Sequence, residues 1–219
     1  MSKAFSSLKA FIAPFAAFLL LLPLADIIGP TAKYWVFPLQ TVLCGALIIW
    51  FWPRYSLKVP KKVGFTLSIA VIMLCIWILP QEAFPSYYPP RLVGFDPTVF
   101  RDRPAIYYAT IVMRFVRLAV VVPFLEEIFW RGFLLRYLIR EDFESVPVGA
   151  FTWLSFLVVT AGFCLEHAAA DRPAALVAGA LFNGVAWRTR SLSSCILAHA
   201  VTNLLLGLYI MQGGQWGFW

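Results

Sequence analysis

The sequence predicts an all-α fold, a polytopic membrane helix bundle of seven to eight transmembrane helices. Three observations carry this reading. The chain is 61% hydrophobic and only 13% charged, against about 25% charged in soluble domains. Its mean hydropathy is +0.79. Its apolar residues come in runs of membrane-spanning length, separated by short polar or proline-bearing stretches, and no polar run is long enough to fold by itself.

The first span is expected at Phe11–Ile28, with Pro14 in its first turn and a kink at Pro23. Lys3 and Lys9 precede it as in a signal peptide, but Asp26 follows and no small-residue cleavage site does, so a retained helix is expected. A second span, Tyr34–Trp52, carries tyrosine and tryptophan at both ends. The loop after it holds Arg54, Lys58, Lys61 and Lys62, the densest basic loop, which places it and the N-terminus in the cytoplasm. The third span is Val63–Leu79. Prolines, aromatics and mixed charges (Glu82, Arg91, Asp96, Arg101, Asp102, Arg103) then mark 80–104 as an extramembrane connector.

Residues 105–139 are too many for one straight crossing, since roughly 20 suffice. Pro123 predicts a kink, or two helices at Ile106–Val122 and Phe124–Ile139. Arg114 and Arg117 share a face of the first part, set to turn inward or snorkel. Three further spans are expected at Val148–Leu165, at Ala174–Trp187, which is short, and at Leu192–Ile210. Gln212–Trp219 reads as a loose interfacial tail.

The formal net charge is +7. Its basic residues are scattered between spans, which suits anionic lipid and argues against a nucleic-acid partner. Cys44, Cys75, Cys164 and Cys195 lie in apolar runs without a CxxC pair, and read as inert thiols.

Against this background a few polar residues stand out. An ionised group at the centre of a membrane helix costs roughly 2.5–3.5 kcal/mol on insertion scales, so it persists only if paired, wetted or functional. Glu127 and Arg131 are four apart with the acid first, the favourable order for an ion pair. Glu126 points about 100° away and has no local partner, which marks it as the reactive carboxylate. His167 follows Phe163 by four residues, and His199 precedes Asn203 by four. Singly, a membrane His or Asn is often interhelical glue; together, these groups satisfy one another best in one wet pocket. Glu166 reads as a solvated loop carboxylate rather than a pocket group. Phe129, Trp130 and Phe163 read as packing and pocket walls.

A glutamate and a histidine sharing a water make a general base. A second histidine with an asparagine supplies donors for an oxyanion. Neither G-x-S-x-G nor H-E-x-x-H is present. Two glutamates and two histidines are acceptable zinc ligands, but their spacing does not demand a metal. One tension remains: His167 ends its span, whereas His199 is eight residues into the last one, about 12 Å along it. Their meeting requires the short span or the 166–173 connector to dip inward.

Glu126-Glu127-x-x-x-Arg131, Phe163-x-x-x-His167 and His199-x-x-x-Asn203, with the flanks Arg131-Gly-Phe-Leu134 and Ser191-Leu-Ser193, resemble the CPBP family (CAAX-processing and bacteriocin-processing, or Abi, intramembrane endopeptidases). The similarity runs from about Pro123 to Leu206. It implies an eight-helix bundle with a cavity open to cytosol and lipid. It also implies that Glu126 and His167 activate water, that His199 and Asn203 stabilise the oxyanion, and that Glu127 and Arg131 support the geometry. No cofactor is required on this reading. Zinc remains possible, with Glu126, His167 and His199 as its ligands. Residues 1–104 become N-terminal membrane helices with the 80–104 loop, and 105–219 the catalytic core, within one continuous membrane domain.

The expected partners are membrane lipid and a peptide or protein substrate, prenylated or leader-bearing. The expected location is a bacterial inner membrane, crossed several times. The alternative is a non-catalytic scaffold or immunity factor that binds a peptide or protein partner in the same pocket. A proton-coupled transporter fits less well, because no internal repeat is found.

Overall fold

A computed structural model describes residues 3–89 and 94–219, with side chains described from residue 8 onward. Arg91 and the side chain of Lys3 lie outside the described residues. The described residues form helices and no strand. These are α1 (Lys3–Leu21), α2 (Lys33–Phe51), α3 (Val63–Ala83), α4 (Pro104–Tyr137), α5 (Trp153–Leu165), α6 (Arg172–Thr189) and α7 (Leu192–Gly213). Five spans are long and apolar enough to cross a membrane: Leu8–Ile28, Lys33–Arg54, and α3, α4 and α7. The protein is an integral membrane protein. With α5 and α6, seven helices are described, at the lower end of the expected number. The short sixth span is longer than its apolar core suggested, 18 residues rather than 14.

Pro123 does not break α4, which runs unbroken for 34 residues. A proline lacks the N–H that closes the helical turn behind it. The helix accommodates it by widening: Arg117–Val121 is a π-helical turn, and the Val122 N–H reaches back five residues to the Arg117 carbonyl. A second π turn spans Ile128–Leu134.

The described chain divides into two compact units, each drawing on both halves of the sequence. The first holds residues 1–54, 91–125 and 203–219; the second holds 55–90 and 126–202. In the first unit both span arginines turn inward. Arg117 donates through Nε and Nη2 to Gln40 Oε1 at 3.2 and 2.9 Å. The Arg114 guanidinium lies 5.0–5.8 Å from the ring centres of Phe37, Phe95 and Trp219, a cation–π cage.

Two expectations are corrected here. The proline-rich connector is not wholly superficial: Phe95 is buried, Lys33 Nζ donates to the Gly94 carbonyl at 2.7 Å, and the Tyr34 hydroxyl donates to the Asp96 carbonyl at 2.8 Å. Nor is the C-terminal segment loose. The Phe95 N–H donates to the Trp219 carbonyl, and the Trp219 ring packs edge-on to Phe115 at 5.7 Å. Burial of large aromatic surface outweighs the flexibility that three nearby glycines suggested.

The second unit carries the two motif acids on α4, His167 just beyond α5, and His199 on α7. The basic loop is tied to α7 through Ser194, whose Oγ accepts from the Lys61 N–H at 2.8 Å and donates to the Lys61 carbonyl at 3.0 Å. Thr202 Oγ1 donates to the Ala70 carbonyl of α3 at 3.2 Å. At Gly179 of α6 an added Cβ would sit 3.2 Å from the Thr160 backbone of α5. The absent side chain lets these two helices touch, as small residues do between membrane helices.

Candidate active site

The site is built within the second unit, from the C-terminal part of α4, the end of α5 with its connector, the middle of α6, and α7. Its foundation is Arg131, fully buried. Arg131 donates Nη1–H to Glu127 Oε1, Nε–H to Asn183 Oδ1 and Nη2–H to the Gly179 carbonyl, each at 3.0 Å. Its guanidinium also lies 4.8 Å from the Phe163 ring centre. A buried guanidinium is tolerable only when its donors and charge are met in this way. The expected Glu127–Arg131 pair is therefore present, held by a partner the motifs do not include. Asn183 is itself anchored, donating from Nδ2 to Thr160 Oγ1 at 3.1 Å.

Glu127 Oε1 also faces His199 Nδ1 at 3.0 Å. With Nδ1–H donating to this carboxylate, His199 turns Nε2 toward Glu126 Oε2, 4.0 Å away. Its ring stacks on Phe182, centres 5.1 Å apart and 22° between planes. Glu126 is 5% exposed, and its Oε2 has no hydrogen-bond partner. The carboxylate expected to lack a local partner is thus buried beside a histidine.

His167 lies just beyond α5. Its Nδ1 is 2.7 Å from the Phe163 carbonyl. A carbonyl only accepts, so Nδ1 carries the proton and Nε2 keeps its lone pair. The ring packs on Phe163 and Trp77, at 4.9 and 5.5 Å. Burial pushes its pKa down to about 4, so the imidazole is neutral near pH 7. One ligand atom each of Glu126, Glu166 and His167 lie within 4.8 Å of one another. A hydrogen bond spans about 2.8 Å, so a single water can reach more than one of these groups.

Glu166 is the main correction to the sequence reading. It is not a solvated loop carboxylate: its side chain is 11% exposed, and Trp130 Nε1–H donates to its Oε1 at 3.1 Å. Burial first of all pushes its pKa up to about 8. Trp130 reaches it because Gly162 leaves room; an added Cβ there would sit 2.7 Å from the indole. Asn203 belongs to the first unit, where its Nδ2 donates to the Leu118 carbonyl at 3.0 Å.

Glu126, Glu166 and His167 offer oxygen and nitrogen atoms of the kind zinc takes. The unpartnered Oε2 atoms of both acids fit such a role. This set shares Glu126 and His167 with the expected one and has Glu166 in place of His199.

Residues 108–205 match the family model described as type II CAAX prenyl endopeptidase, Rce1-like. This segment is similar to that family. It includes all six motif residues and bears out the CPBP resemblance drawn from them. Together with the apolar spans, the Rce1-like match supports an intramembrane endopeptidase. No curated protein and no solved structure matches the chain.

Proposed function

We propose that this protein is an intramembrane endopeptidase that hydrolyses a peptide bond of a membrane-associated substrate, with Glu126 and His167 activating the attacking water. The observation that carries the proposal is the convergence of Glu126, Glu166 and His167 within 4.8 Å, with Glu126 buried and the other two partly so, and with His167 held as the tautomer whose Nε2 is basic. In the reaction Glu126 takes a proton from water while His167 Nε2 orients it. The new C–O bond converts the carbonyl oxygen to an oxyanion. His199, its Nδ1 backed by the Glu127 carboxylate, is placed to donate from Nε2 when protonated, as carboxylate-backed histidines do. Asn203 is proposed as a second oxyanion donor on the strength of the family motif. Glu127, Arg131 and Asn183 hold the constellation and touch no reacting atom.

If zinc binds, Glu126, Glu166 and His167 would hold it, and it would supply Lewis acidity to a bound water. The site's own residues provide base, orientation and oxyanion donors in either case.

The name of the matched family makes a prenylated peptide the first substrate to try; a leader-bearing membrane precursor is the second. A bacterial inner membrane is the proposed location. The test is cleavage of prenylated CAAX-type and leader peptides by the purified protein in lipid vesicles. Cleavage should be abolished by Glu126→Gln and His167→Ala, with wild-type melting retained in Glu126→Gln. Binding without cleavage by the wild type would favour the scaffold reading.

A further inference from the structure

We infer that the first unit binds a halide ion, chloride in ordinary buffers, between Arg114 and Arg117. The two arginines are three apart on α4, so they share a helix face, about 5–6 Å apart at Cβ. Both are more than nine-tenths buried. Both guanidinium groups lie against the Phe37 ring, 5.2 Å from its centre for Arg114 and 4.5 Å for Arg117. Two buried like charges repel, and little water is present to screen them.

Arg114 is the group that calls for a ligand. Its Nε and Nη1 are buried with no hydrogen-bond partner. Phe37, Phe95 and Trp219 surround its guanidinium. Such a cage offsets only part of the cost of taking the ion out of water, and a ring face accepts an N–H weakly. Arg117 differs, because its Nε and Nη2 donate to Gln40 Oε1. Gln40 is a neutral amide, so that bond meets donors and not charge.

A cavity of about 10 Å³ adjoins both arginines, with Thr110, Met113, Phe37 and Phe95 in its wall. It has room for one water-sized occupant, and no described residue lining it is acidic. Size and charge together select that occupant. Phosphate, sulfate and carboxylate compounds are too large. A water would accept from Arg114 but leave the charge unmet. A halide, only slightly larger than water, accepts the N–H donors and offsets the charge. Phe37 belongs to α2, Phe95 to the connector and both arginines to α4, so the ion fastens three segments of this unit at one point.

The test is equilibrium dialysis of the full chain in detergent against radioactive chloride. Ionic strength is held constant with gluconate, which is too large for the cavity. The wild type should retain about one chloride per chain, displaced by bromide. Arg114→Met should lose it, and Arg114→Lys, which keeps the charge, should bind more weakly than wild type. Thermal melting is a second readout. Without chloride, Arg114→Met should melt at or above the wild type, since it removes an unmet buried charge. Replacing gluconate by chloride should raise the wild-type melting temperature progressively and leave Arg114→Met unmoved. Sulfate, which strengthens burial in general, should raise both alike. Chloride retention no greater than the detergent blank would overturn the site and leave water as its occupant. Full retention by Arg114→Met would overturn it equally, by placing the ion elsewhere. If Arg114→Met does not fold, a wild-type melting temperature indifferent to chloride overturns the inference alone.

Discussion

His199 Nδ1 and Glu127 Oε1 stand 3.0 Å apart although 72 residues separate them in sequence. The same carboxylate oxygen accepts from Arg131 Nη1 at 3.0 Å. One anion therefore joins α4, α6 through Asn183 and Gly179, and α7. Removing one member of a buried pair leaves the other charge unmet, at about 3–5 kcal/mol. Arg131→Met should lower the melting temperature strongly in detergent. Glu127→Gln, which retains an acceptor oxygen but leaves the Arg131 charge unmet, should also melt below wild type and reduce kcat, because His199 loses its backing charge.

Gly162 provides a second test. Alanine there would meet the Trp130 ring at 2.7 Å, and overpacking of this kind costs about 1–3 kcal/mol. Gly162→Ala should fold with reduced stability and show a larger fractional loss of activity, because the displaced indole no longer holds Glu166. Tryptophan fluorescence and cleavage, measured together, check the two effects.

The two arginines of the first unit should behave in opposite ways. Arg114 Nε and Nη1 are buried without hydrogen-bond partners, whereas Arg117 is bonded to Gln40. An apolar residue of similar length relieves an unmet charge but orphans a met partner. Arg114→Met should be neutral or stabilising, and Arg117→Met destabilising by about 1–3 kcal/mol, measured by thermal melts in one detergent.

Burial sets a pH dependence. The His167 pKa falls from 6.5 to about 4, so its contribution to stability is present above 6.5 and lost as pH falls toward 4. The Glu166 pKa rises from 4.5 to about 8, so its contribution is present below 4.5 and lost as pH rises to 8. Between 4.5 and 6.5 the two oppose each other; between 6.5 and 8 only the Glu166 contribution changes, and stability should fall with rising pH.

How much of this was legible in the sequence follows from cost. Glu126, Glu127, Arg131, His167, His199 and Asn203 are conspicuous because polar groups in apolar runs are expensive. Glu166 was missed because a glutamate at a helix end is ordinarily solvated. The Trp130 indole and the burial of this helix end reverse that, and neither is local in sequence. Asn183 gave the same signal as Asn203, a lone amide in an apolar run, and was overlooked among the glycines and alanines of its helix. Pro123 left open whether residues 105–139 form one helix or two, because the π turn that absorbs it has no sequence signature. The tail packing depends on Phe95, Phe115 and Trp219, more than 100 residues apart at the extremes.

The most direct test of the central claim is the cleavage rate of a prenylated peptide in lipid vesicles by wild type and by Glu126→Gln at equal folded concentration. The account predicts product from the wild type and at least a 10³-fold lower rate from the variant. Equal rates from the two proteins would contradict it.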